Sequence, residues 1–127
     1  VVPDPLERQL LPSTSYIYAR PDVLADPQKA EAIREFLASF VRAGRWSNTH
    51  RKDWGQHYFR NFQRLDAESV AAIQAVQAPL EFQTAAEALP HHQKLIDILH
   101  SAGSLPQHLD AKGSFLASYD GVIVANR

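Results

Sequence analysis

The placement of proline constrains this chain more than any other feature, because a proline ring fixes φ and removes a backbone donor, so that helices start at it and strands and helices end before it. Eight prolines punctuate the 127 residues. Pro3, Pro5 and Pro12 crowd the first thirteen positions around Leu10 and Leu11, a composition suited to a linker. Pro21 closes a run of β-branched and aromatic residues, Ser13 to Ala19, which reads as one strand over 14–19. Asp26-Pro27 is a helix start with cap and first-turn proline together, and Ala30, Ile33, Leu37, Phe40, Val41 and Gly44 follow at helical spacing. This predicts a helix over 27–47. Asn48 or Thr49 is placed to cap a second, over 49–63, whose apolar residues Trp54, Tyr58, Phe59 and Phe62 recur at intervals of one turn. Asp66 caps a third, over 67–77, stopped by Pro79. Thr84-Ala85-Ala86-Glu87 is a capping box for a fourth, over 85–102, which ends at Gly103 and is either kinked by Pro90 or begins near Leu89. After the turn-forming Asp120-Gly121, Val122-Ile123-Val124 reads as a second short strand. The expected fold class is therefore mainly α with one or two short strands.

At this length a single folding unit over 1–127 is expected, with 45% hydrophobic and 21% charged residues placing it in the globular regime. No apolar run approaches the roughly 18 residues that span a bilayer. The opening Val1-Val2-Pro3-Asp4-Pro5 lacks a signal peptide's regions, and a chain with no Met is expected to be a piece of something longer. Zero Cys excludes disulfides, thiolate catalysis and Cys-based zinc sites. Six histidines invite a metal reading that their spacing opposes: His91 and His92 point about 100° apart on a helix, and His92 and His100 lie about two turns apart. Neither metal nor cofactor is expected. Gly-x-Ser-x-Gly, a Gly-rich phosphate loop and His-Glu-x-x-His are all missing, so the chain is not read as an enzyme.

Charge is unevenly distributed although the net formal charge is only -1. Arg42, Arg45, Arg51, Lys52, Arg60 and Arg64 face one acid, Asp53, over 42–64, whereas 66–110 carries six acids against Lys94. Cations interleaved with Trp46, Trp54, Tyr58, Phe59 and Phe62 suit phosphate contacts and base stacking. In so small a chain the aromatics are needed for the core, with Trp46 as its anchor, and the arginines then form solvated faces. No nucleic-acid partner is expected. Ser13-Thr14-Ser15 is the most suggestive polar run: three hydroxyls beside exposed amides can converge on an oxyanion, or can satisfy a local turn.

From residue 13 onward the order of signals resembles the C-terminal part of the substrate-binding proteins of ABC importers of the aliphatic sulfonate, taurine and nitrate type. Ser15-Tyr16-Ile17-Tyr18-Ala19-Arg20-Pro21-Asp22-Val23-Leu24 resembles the strand re-entering the first lobe. The run from Asp26-Pro27 to Phe36-Leu37 resembles the helix that follows, with Ala43 and Trp46 at its family positions. His92-Gln93-Lys94-Leu95-Ile96-Asp97 is similar to a Gln-x-x-Ala-Asp landmark, and Gly103-Ser104-Leu105-Pro106 to Gly-Leu-Ile-Pro. The sequence departs from the family at Asn48-Thr49, at Phe82-Gln83-Thr84 and at Ile96. The resemblance implies the C-terminal portion of an α/β periplasmic-binding-protein lobe, with 1–13 a crossover or linker and 14–127 the closing part of the first lobe. It implies a small anionic solute such as a sulfonate, with Ser13, Thr14 and Ser15 as ligand-binding residues. An ABC permease would be engaged through the full-length protein, and the missing lobe or a homo-oligomer would cover apolar faces. It implies a periplasmic or lipid-anchored extracellular location, the export signal lying outside this chain. The alternative reading is a small helical interaction module that uses the basic aromatic segment 42–64.

Overall fold

In the computed structural model, residues 14–127 are described, and all of their regular structure is helical. In chain order the elements are α1 (Pro21–Ala25), α2 (Pro27–Thr49), α3 (Arg51–Trp54) running directly into a π-helical segment (Gly55–Phe62), α4 (Ala67–Val76) and α5 (Ala85–Ser101). Two 3-10 turns (Ala111–Ser114 and Ala117–Tyr119) and α6 (Asp120–Asn126) complete the chain.

Local signals account for most boundaries. The Asp26 carboxylate accepts from the amides of Gln28 at 3.0 Å and Lys29 at 3.3 Å, which starts α2 at Pro27. Asp66 does the same for α4, accepting from Ser69 N at 2.7 Å. Helix α5 starts immediately after Thr84 and runs through Pro90 to Ser101. Gly103 then adopts φ 74°, Ser104 N donates to Leu99 O at 2.9 Å and Gly103 N to His100 O at 3.0 Å, a Schellman stop in which the glycine takes the left-handed position.

Both expected strands are absent among the described residues. Residues 14–20 have no regular structure, and 122–124 lie inside α6. A β-branched run becomes a strand only where a neighbouring strand satisfies its ladder, and no described residue pairs with either segment. Val122 to Val124 close helical bonds instead.

The chain forms two compact units, one of residues up to Ala32 with Ala85–Leu116, the other of Ile33–Thr84 with Ala117–Arg127. In the second, the buried face of α2 is Val41, Gly44 and Ser47, at intervals of three residues. Gly44 is required there: a Cβ would run into the Phe82 ring. Phe82 also meets Phe40 edge-on at 5.6 Å, and Phe40 stacks on Phe36 at 5.8 Å. Arg34 donates to Ser118 O at 3.2 Å and covers the buried Tyr119 ring, while Arg42 donates to Asn126 at 2.8 Å. Both bonds span 84 residues, so α6 runs parallel to α2. In the first unit, Ile96 of α5 and Ala111 are the buried apolar residues.

Trp46 is not the core anchor that its position predicts. It is 41% exposed and stacks on His50 at 5.0 Å, because α2 turns its Val41/Gly44/Ser47 face inward and leaves Trp46 beside that face. The chain's only fully buried large side chain among the described residues is Val41.

Candidate functional site

Of the hydroxyl run, Ser13 lies outside the described residues, and Thr14 and Ser15 are exposed. The next residue pins the segment. Tyr16 OH lies 3.0 Å from His92 Nδ1, and the Tyr16 ring packs edge-on against His92 at 5.3 Å and Phe115 at 6.2 Å. His92 and Phe115 meet perpendicularly at 5.2 Å. Tyr16 thus fastens the chain next to Thr14 and Ser15 to α5 by one hydrogen bond and an aromatic cluster.

Immediately after His92 on α5, the polar residues of the Gln-x-x-Ile-Asp motif, Gln93 and Asp97, form a clasp. Gln93 Oε1 accepts from Ala111 N at 2.8 Å, and its Nε2 donates to Leu109 O at 3.1 Å and to Asp97 at 2.7 Å. Asp97 also receives His108 Nε2 at 2.8 Å, and the His108 ring lies edge-on to His100 at 5.4 Å. A side-chain amide carries a donor and an acceptor in fixed register, so Gln93 pairs with extended backbone as a neighbouring strand would. The hydrogen bond from Gln93, then that from His108, holds the Asp97 carboxyl below its ordinary value. What Asp97 adds to stability is therefore present above the ordinary carboxylate range and lost as pH falls through its lowered pKa.

Asn48 performs the same service in the other unit, donating to Leu80 O at 2.9 Å and accepting from Leu80 N at 2.8 Å. Sequence reasoning assigned it a capping role. Helix α2 instead continues to Thr49, and His50 stands at the N-terminus of α3. The guanidinium of Arg51 donates to the C-terminal carbonyls Gln74 O and Gln77 O of α4, and Gln74 returns a bond to Arg51 O. Ser47, Asn48, Arg51, Trp54, Gln74, Gln77 and Ala78 surround a polar cleft with room for about one water molecule, too small for an organic solute.

The basic aromatic segment has a geometry of its own. Trp54 stacks on Tyr58 at 4.7 Å and 8°, and Tyr58 on Phe62 at 5.8 Å and 19°. In an α-helix a four-residue step overshoots one turn of about 3.6 residues. That overshoot is small enough for rings four apart to stack, as Phe36 on Phe40 and Trp46 on His50 do in α2, and the π segment, with Gln63 N bonded to Tyr58 O at 2.9 Å, keeps the same arrangement. Phe59 points the other way, into the core, and Phe62 is 76% exposed. The segment ends at Arg64, which holds φ 60°. An arginine in the left-handed region pays a steric cost that glycine avoids. Arg64→Gly is expected to raise stability by roughly 0.5–1 kcal/mol, read as a higher urea midpoint at unchanged slope.

Among the described residues, no three His, Cys, Asp or Glu side chains converge as a metal ion requires, and no helix is long and apolar enough to cross a membrane. Comparison with protein-family models, with curated proteins and with solved structures finds no match to this chain.

Proposed function

We propose that this chain is the C-terminal, helix-rich portion of the substrate-binding component of an ABC importer, recognising a small anionic solute such as an aliphatic sulfonate without catalysis. The observation that carries the reading is the clasp. Gln93 and Asp97, two residues on which the sequence resemblance rests, hold the extended 108–111 segment to α5, which gives the landmark a structural purpose. The Gly103 stop of α5, in the second landmark, has the same standing. The half-exposed Phe36, Phe40 and Leu80 of the second unit support it as well, since helices that cover a sheet in a larger lobe keep an apolar face for it.

In this reading Ser13, Thr14 and Ser15 donate hydroxyl and amide hydrogens to the solute's oxyanion, Tyr16 and His92 hold that run in place, and hinge closure traps the solute against the missing lobe. The closed form then engages a permease outside the cytoplasm, either in a periplasm or on a lipid-anchored protein. A second lobe is indispensable for affinity. Two or three neutral hydrogen bonds add about 0.5–1.5 kcal/mol each against water, far below the roughly 8 kcal/mol of micromolar binding.

Mass spectrometry of the polypeptide from its native source, followed by calorimetric titration with taurine and alkanesulfonates, tests the proposal. A longer polypeptide is expected to bind one of them with saturable heat at micromolar concentration, whereas the 127-residue chain alone is expected to give none. Saturable micromolar binding by this chain alone, or a native product no longer than it, would overturn the reading.

A further inference from the structure

We infer that the Trp54/Tyr58/Phe62 ladder and its flanking cations form a docking surface for an acidic amphipathic helix of a protein partner. The inference does not depend on the importer reading. Three observations within one unit carry it.

The rings are ordered by stacking on one another, so binding to them does not require freezing three independent side chains. Their spacing of about one turn per rung is also the spacing at which a partner helix presents apolar residues at i and i+4. Phe62 is largely exposed although it is one of the three rungs, an apolar group held in water at a fixed place.

Charge selects the sign of the partner. Arg45, Lys52, Arg60 and Arg64 are exposed, and neither they nor Arg51 make an ion pair with a carboxylate among the described residues. Arg51 and Arg60 bond only backbone carbonyls, to Gln74 and Gln77 and to Leu65 at 2.8 Å respectively. Cations without carboxylate partners, with Asp53 the single acid over 42–64, attract an acidic surface.

Stacking decides between a protein and a nucleic acid. Single-stranded nucleic acid binds by laying bases on open ring faces. Here both Tyr58 faces are covered by Trp54 and Phe62, so the middle rung presents only its edge and consecutive bases cannot intercalate along the ladder. Ring edges carry the positive end of the aromatic quadrupole and suit carboxylates and aliphatic groups rather than base planes.

The test uses the full chain and fluorescence anisotropy with three labelled probes at low salt. They are a helical peptide with Leu at i, i+4 and i+8 on a Glu-rich background, the same peptide with Lys for Glu, and an oligothymidylate. The acidic peptide is expected to bind saturably, to weaken as salt rises and to lose about tenfold in affinity with Phe62→Ala, a substitution at an exposed position that leaves the fold intact. The lysine peptide is expected not to bind. No saturation by the acidic peptide up to millimolar concentration, an affinity indifferent to Phe62→Ala, or tighter binding of the oligothymidylate would each overturn the inference.

Discussion

Val41→Asp is expected to abolish cooperative unfolding of the unit built from Ile33–Thr84 and Ala117–Arg127. Val41 is 1% exposed, one turn before Gly44, at the point where α2 admits the Phe82 ring. The buried face itself, Val41, Gly44 and Ser47, supplies no cation to a carboxylate there, and Arg45, one turn on, is exposed. An unpaired ion moved out of water costs several kcal/mol after relaxation, comparable to the roughly 5–15 kcal/mol that hold an ordinary domain together. Val41→Ala removes only two methyl groups and is expected to cost about 1–3 kcal/mol, retaining a sigmoidal transition at lower temperature. Thermal melts followed by far-UV circular dichroism separate the two. If Val41→Asp melted within about 2 °C of the parent, the buried face of α2 would have been misassigned.

Gln93→Leu is the second large effect, and it acts in the other unit. The side chain becomes one bond shorter and apolar, and loses both halves of its pairing with extended backbone. Ala111, at 0% exposure, is left with an amide that has lost its acceptor, and Leu109 O and Asp97 lose a donor. An orphaned buried donor costs about 1–3 kcal/mol and each lost bond adds to it, so a loss of about 2–3 kcal/mol is expected. At about 1.4 kcal/mol per tenfold, amide exchange at Ala111 is expected to accelerate roughly 30- to 150-fold. The same substitution removes the largest cause of the lowered Asp97 pKa, which should move up toward its ordinary value in a carboxyl titration by NMR. Unchanged protection at Ala111 would mean that the 108–111 segment is held by something other than Gln93.

The candidate site was legible only in part. The aromatic and cationic composition of 42–64 is visible in the sequence, and so is the four-residue spacing of Trp54, Tyr58 and Phe62. What that spacing produces was not, because an α-helical period places the three on a drifting face intended for the core. In the structure they stack on one another instead, and of the four aromatics only Phe59 is buried. Asn48 and Gln93 were equally hidden. An amide that caps a helix and an amide that pairs with a distant segment have the same local signature, and their partners lie 32 residues away at Leu80 and 16 and 18 away at Leu109 and Ala111.

Placement of the four longer helices, by contrast, was determined by the sequence alone. Asp26-Pro27, Asp66 and Gly103 act on backbone groups within a few residues of themselves, so their effect does not wait for the rest of the chain. Four helices accordingly lie within a few residues of where caps and prolines predict them. Only the tertiary structure decided which helix faces are buried, that Trp46 faces solvent, and that Tyr16 to Ala19 and Val122 to Val124 are not strands. Burial and strand pairing are relations between segments. A β-branched run carries no information about whether a neighbour exists to complete its hydrogen bonds, and where none does, it remains irregular or closes its bonds within a helix.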